Sequence, residues 1–259
     1  MTDLSLSAVA DSLYSAERRR IAIDPLTELY PKLSIDDAYR IQLLNTDRRL
    51  EAGESISGRK VGLTSAAMQQ MLGVDEPDYG IIFGDMMVGD GEEVPVRTLI
   101  SPKVEAEIAF VLGADLTGPG VTVEDVLGAT TGVRPALEII DSRVVDWRIK
   151  LADTIADNAS SARVVLGPTS PVAGLDLPSV TVALARNGEV VEEGTGAAAL
   201  GNPAACVAWL ANKLADFGEG LRAGEVIMPG ALHRAVEIDA GDLFTADFSD
   251  IGSVSVYFT

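Results

Sequence analysis

The chain has 259 residues, with 20 Lys plus Arg against 39 Asp plus Glu and a formal net charge of −19. Hydrophobic residues make up 47% and charged residues 23%, a globular balance with ample length for a buried core, which sets aside disorder, collagen and coiled coil. So acidic a surface repels nucleic-acid phosphates and anionic lipid heads, and no apolar run approaches the roughly 20 residues of a spanning helix, so neither nucleic acid nor membrane is an expected partner.

Residues 4–20 predict an amphipathic helix with Leu6, Val9, Leu13 and Tyr14 on one face. Its basic run Arg18-Arg19-Arg20 belongs to the C-terminal end, where positive charge suits the helix dipole. Asp24-Pro25 breaks the pattern. Ser34-Ile35-Asp36-Asp37 is a capping box in its Asp variant. The helix it opens carries Ile35, Ala38, Tyr39, Leu43 and Leu50 largely on one side and stops near Gly53. The expected organisation is an N-terminal helical segment, 1–55, followed by a β-rich domain, 56–259.

In that second part glycines and β-branched residues rise. Strands are predicted at 58–63, 81–84, 104–112, 136–141, 162–166, 180–186, 189–193, 225–229, 242–248 and 252–258. Asn187-Gly188 marks a tight hairpin turn. Short helices are predicted at 65–72, 122–129 and 146–156. A longer one at 203–217 is opened by Asn202-Pro203 and ended by Gly218. The order is not a βαβα alternation, so the fold class is α+β rather than a doubly wound sheet. The single cysteine, Cys206, sits in a helical apolar pattern and reads as a small buried hydrophobe. Cysteine use and the absence of a signal-peptide pattern fit the cytoplasm.

The most informative segment for chemistry is Pro102–Leu112, PKVEAEIAFVL. Side chains alternate across a strand, so Val104, Ala106, Ile108 and Phe110 share a core face. Glu105 and Glu107 share the other, which turns apolar at Ala109 and Val111. Glu138 lies in a second apolar run, PALEIID. Neighbouring carboxylates repel, and a hard divalent cation relieves both the repulsion and the cost of desolvation. Glu105, Glu107 and Glu138 are therefore candidate ligands of one Mg²⁺ or Mn²⁺. The alternative is two solvated glutamates and a third paired with an arginine. Zinc is disfavoured, because the chain has one histidine, His233, and one cysteine. His233, in the turn PGALHR, either touches substrate or finishes a loop.

Lys60 lies between glycines in GRKVGLTS. It is either a surface lysine or a group that binds a substrate carboxylate, or one that moves a proton if burial lowers its pKa. Asp78 lies in DEPDYG, which reads as an acidic turn. Asn158 and Ser160 lie in DTIADNASS, which reads either as a polar contact segment or as a helix end. No phosphate loop and no Ser-His-Asp or Cys-His system is present.

Taken together, GRKVGLTSAAMQQMLGVDEPDYG (58–80), PKVEAEIAFVL (102–112), PALEIIDSRVVDWRIKLADTIADNASS (135–161), LGNPAACVAWLANKL (200–214) and GSVSVYF (252–258) resemble the 2-hydroxypenta-2,4-dienoate hydratase (2-keto-4-pentenoate hydratase) family. That family belongs to the fumarylacetoacetate hydrolase-like superfamily. The resemblance spans about 200 residues in order. It implies a mixed β-roll core with an N-terminal helical region, and Mg²⁺ or Mn²⁺ on Glu105, Glu107 and Glu138. It also implies functional roles for Lys60 of the KVGLTS motif and Asp78 of EPDYG; beside these, Asn158 and Ser160 are candidates for holding the substrate carboxylate. The implied reaction hydrates a dienol carboxylate to a 4-hydroxy-2-oxo acid in meta-cleavage catabolism of aromatic or steroid compounds. Relatives form homo-oligomers, often pentamers or decamers; association with a pathway aldolase or decarboxylase is a partnership that goes with the scaffold alternative below. Two other readings stay open: a 4-oxalocrotonate decarboxylase of the same superfamily, and a catalytically silent scaffold.

Overall fold

The computed structural model describes residues 5–65, 69–70 and 76–259. The N-terminal helices form where their end signals lie. Helix α1 (Leu6–Arg19) ends with Arg20 in the left-handed region and two arginines in its last turn. A single turn, α2 (Leu26–Leu29), leads to α3 (Ile35–Glu51), where the Ser34 hydroxyl accepts the Asp37 amide. Three further α-helices are described: α4 (Val123–Ala129), α5 (Leu151–Ala156) and α6 (Pro203–Ala215), the last capped by Asn202 with Pro203 at its first position. The helix expected at 65–72 lies largely outside the described residues. The helix expected at 146–156 begins only at Leu151. Asp146 and Trp147 both adopt φ 54°, and left-handed residues cannot continue a right-handed helix.

Thirteen strands are described: β1 (Ile56–Gly62), β2 (Asp78–Phe83), β3 (Met87–Gly89), β4 (Glu93–Val94), β5 (Pro102–Leu112), β6 (Thr130–Asp141), β7 (Ser161–Leu166), β8 (Thr181–Arg186), β9 (Glu189–Thr195), β10 (Val226–Met228), β11 (Val236–Glu237), β12 (Leu243–Phe248) and β13 (Gly252–Phe258). The larger sheet runs β2-β1-β10-β5-β6-β7-β3, with β11 also on β5. It mixes parallel pairs, β1 with β10 and β3 with β7, with antiparallel ones, and it curls until β2 packs against β7. The smaller sheet runs β4-β13-β12-β8-β9. Asn187 and Gly188 turn its β8–β9 hairpin with φ of 55° and 86°. Strands β3, β4 and β11 were not expected, since two or three residues are too few to show a period.

The two sheets and the helices share one apolar cluster. Val104, Ala106, Ile108 and Phe110 of β5 enter it, as their alternation predicts. Phe244 and Phe258 meet edge to face within it, 6.0 Å apart, and such fully buried rings contribute about 2–3 kcal/mol each. Val9, Leu13, Tyr39 and Ile41 of the N-terminal helices belong to the same cluster. The opposite face of the large sheet carries a second, smaller cluster that includes Ile82, Ala109, Ala136, Val164 and Met228. Lys60, Asp78, Glu105, Glu107 and Glu138 stand on this second face, by the two-residue alternation of their strands. Among the described residues, no helix is long and apolar enough to cross a membrane.

Candidate active site

Strand register assembles the acidic cluster. Glu105 of β5 lies directly opposite Glu138 of β6, an arrangement that like charges oppose. One carboxylate oxygen from each of Glu105, Glu107 and Glu138 can be chosen so that all lie within 4.8 Å of one another. Unit charges about 5 Å apart at an effective dielectric near 20 repel by about 3 kcal/mol. Burial, reinforced by Glu138, pushes Glu105 up to about 7 and Glu107 well above the usual carboxylate range, with Lys60 opposing. Glu107 Oε2 accepts the Gly230 amide at 2.7 Å. Neither oxygen of the fully buried Glu138 has a hydrogen bond among the described residues. Three converging carboxylates with orphaned buried oxygens and no sulfur or nitrogen donor fit a hard divalent cation.

Lys60 reaches the cluster from β1. Its Nζ lies 3.4 Å from Glu138 Oε2 and donates to the Ala159 carbonyl at 3.0 Å. Burial works to lower the lysine's pKa, but Glu138, Asp78, Glu105 and Glu107 outweigh it and hold the ammonium above the ordinary lysine range. The lowered pKa weighed for this residue from sequence is therefore reversed. Surrounded by carboxylates, Lys60 is held as a cation.

Asp78 does not lie in a turn. It begins β2, opposite Gly62 of β1, and is 1% exposed. The DEPDYG segment reads as a turn because its composition is that of one, whereas pairing with β1 decides the conformation of its last three residues. Thr154 donates to Asp78 Oδ2 at 3.1 Å, and Oδ1 has no hydrogen bond among the described residues. A Cβ at Gly62 would stand 2.2 Å from Asp78 Oδ1 and 3.3 Å from Lys60 Nζ, so this glycine makes room for the pair. Burial raises the Asp78 pKa, with Lys60 and Thr154 pulling against it.

Asn158, Ala159 and Ser160 form a short left-handed turn with φ of 55°, 50° and 55°. Such backbone costs about 1–2 kcal/mol per residue and is found preferentially at functional sites. The Asn158 amide holds the turn to β2, accepting the Ile81 N–H and donating to the Ile81 carbonyl, both at 2.8 Å. Ser160 Oγ is buried with no hydrogen bond among the described residues. Sequence reasoning missed Thr154 and Gly230 as partners of the acidic groups. A glycine after a proline between strands is a faint signal for the second; for Thr154 there is none.

A curled mixed sheet with this acidic face defines the class. The chain belongs to the fumarylacetoacetate (FAA) hydrolase C-terminal family, whose model matches residues 58–258. It is 50% identical over 260 residues, covering all of this chain and 96% of the relative, to a 2-keto-4-pentenoate hydratase of Paraburkholderia xenovorans (strain LB400). A 2-hydroxyhexa-2,4-dienoate hydratase of Comamonas testosteroni is 45% identical over 251 residues, 95% of each chain. Among solved structures, 4-oxalocrotonate decarboxylase from Pseudomonas putida G7, complexed with magnesium and adipate, superposes with a TM-score of 0.94 at 38% identity over the whole of both chains.

Proposed function

We propose that this chain is a hydro-lyase that hydrates 2-hydroxypenta-2,4-dienoate, or a substituted analogue, to the 4-hydroxy-2-oxo acid. The observation that carries the reading is the convergence of Glu105, Glu107 and Glu138, with Lys60 against them, in a chain half identical along its length to a 2-keto-4-pentenoate hydratase. In this reading those glutamates hold Mg²⁺ or Mn²⁺. Such an ion supplies Lewis acidity to oxygen-bearing substrates.

The substrate must lose its 2-hydroxyl proton, gain a proton at carbon 5, and take up water with oxygen at carbon 4 and hydrogen at carbon 3. The Lys60 ammonium supplies a fixed positive charge and a proton at Nζ beside the developing enolate oxygen. Asp78 holds Lys60 electrostatically and offers its free Oδ1 to an incoming water. Ser160 Oγ donates to the substrate carboxylate, and Asn158 serves by fixing the turn that carries it. The apolar residues below the carboxylates, including Ala109 and Met228, exclude bulk water from the hydrocarbon end.

The decarboxylase of Pseudomonas putida G7 shares the fold over the whole chain, so loss of CO₂ from 4-oxalocrotonate is the second reading. The higher identity to the two hydratases favours water addition. The proposal includes a cytoplasmic homo-oligomer. Freshly generated 2-hydroxypenta-2,4-dienoate, assayed with Mg²⁺ and with chelator, tests the chemistry. Metal-dependent 4-hydroxy-2-oxopentanoate, identified by NMR, is the expected product. Turnover of 4-oxalocrotonate alone would transfer the assignment to the decarboxylase, and no turnover of either would favour a scaffold.

A further inference from the structure

The outer edge of β5 is paired at both ends, with β11 at Lys103 and Val104 and with β10 at Phe110 and Val111. Between them the partner chain leaves the sheet. That departure turns the Gly230 amide into the site, where it meets Glu107. Gly230 adopts φ +118°, and a Cβ there would stand 2.1 Å from Thr64 Oγ1. The detour also leaves the Ala106 main chain, between the two glutamates, without a strand on that outer edge. Its carbonyl accepts the Leu232 N–H at 3.0 Å. Its N–H donates to a side chain, His233 Nε2, at 3.1 Å. An imidazole nitrogen stands where a neighbouring strand would offer a carbonyl.

The partners fix the state of this ring. Ala106 N–H can only donate, so Nε2 is unprotonated. Nδ1 lies 2.7 Å from the Arg234 carbonyl, which can only accept, so Nδ1 carries the hydrogen. Both ring nitrogens are used, and the ring closes a path from the loop to the backbone that joins Glu105 to Glu107.

We infer that His233 is a positioning residue for the carboxylate cluster: its neutral imidazole completes the β5 edge at Ala106 and so sets the spacing and aim of Glu105 and Glu107, while the same loop presents Gly230 to Glu107. The inference rests on the reading that these glutamates bind a divalent cation. Groups that orient metal ligands from behind commonly change metal affinity 10- to 100-fold.

The test uses the full chain with Mn²⁺ as the probe, free ion being followed by electron paramagnetic resonance. His233→Leu keeps much of the volume without an acceptor; His233→Gln restores an acceptor at similar reach. The expected result is Mn²⁺ affinity weakened about tenfold or more in His233→Leu, with kcat at saturating Mn²⁺ reduced more than KM is changed. His233→Gln should recover most of both. In the wild-type protein, nitrogen-15 NMR should show the Nδ1–H tautomer, a readout that needs no variant to fold. Wild-type Mn²⁺ affinity in His233→Leu, no recovery in His233→Gln, or an Nε2–H ring would each overturn the inference. Wild-type protein that binds no Mn²⁺ would overturn it together with the cation site itself; normal binding with an indifferent His233 would overturn this inference alone.

Discussion

Lys60 Nζ stands 3.4 Å from Glu138 Oε2, and the two side chains are 6% and 0% exposed. Among the described residues Glu138 has no hydrogen bond of its own, and the lysine is the cation that compensates it. Replacing Lys60 with Met should reduce kcat by about 10² to 10⁴ while Mn²⁺ still binds. In metal-free protein the same change should cost about 3 kcal/mol or more, because a buried carboxylate loses its counter-charge. Steady-state kinetics and urea unfolding in chelator measure the two effects. A variant with full activity would remove Lys60 from the chemistry.

Glu105 and Glu138 face each other across β5 and β6, so the acidic cluster trades stability for binding. Glu105→Gln should abolish metal-dependent activity and yet raise metal-free stability by about 1 kcal/mol, by removing one like charge from the group. Wild-type protein should gain about 2.7 kcal/mol from Mg²⁺ at 100 times its dissociation constant, and the variant should gain almost none. Thermal unfolding with and without Mg²⁺ separates these outcomes. A loss of stability in the metal-free variant would contradict the repulsion argument.

Gly230 gives its amide to Glu107 from a backbone that L-residues avoid, and Thr64 fills the space a side chain would need. Gly230→Ala should destabilise the protein by about 1–3 kcal/mol and lower kcat/KM, because relieving the clash moves the donor away from Glu107. Calorimetry and kinetics on one preparation check both. Unchanged stability would show that the loop yields freely.

Cys206 is fully buried in α6, and burial, with Glu107 adding to it, pushes its thiol up to about 12. At pH 8 the thiolate fraction is then on the order of 10⁻⁴. Because the thiolate is the reactive form, native protein should resist iodoacetamide between pH 7 and 9. Labelling should rise with pH toward 12 and become complete at any of these pH values once the chain is unfolded in urea. Intact mass after timed labelling reads this directly. Rapid native labelling at pH 8 would mean that the thiol is neither buried nor shifted.

Local signals carried much of the fold. The Ser34 and Asn202 caps and the Asn187-Gly188 turn all act through neighbours within a few residues, so they are legible in the chain itself. The alternation of Pro102–Leu112 likewise separated a core face from a carboxylate face, since backbone geometry imposes that period wherever the strand lies. Tertiary structure decided the rest. Strand register put Glu138 opposite Glu105, and pairing with β1 drew Asp78 out of an apparent turn and onto the face that carries Lys60. Register depends on which distant strands meet, and a one-residue slip would have sent these side chains to the other face. The charge of Lys60 was also beyond local reading. Burial alone lowers a lysine's pKa, and only the convergence of carboxylates from three other strands reverses the direction. His233 could be named from the sequence, but its partner could not, because the Ala106 amide lies 127 positions away and is open to a side chain only where the sheet loses a strand.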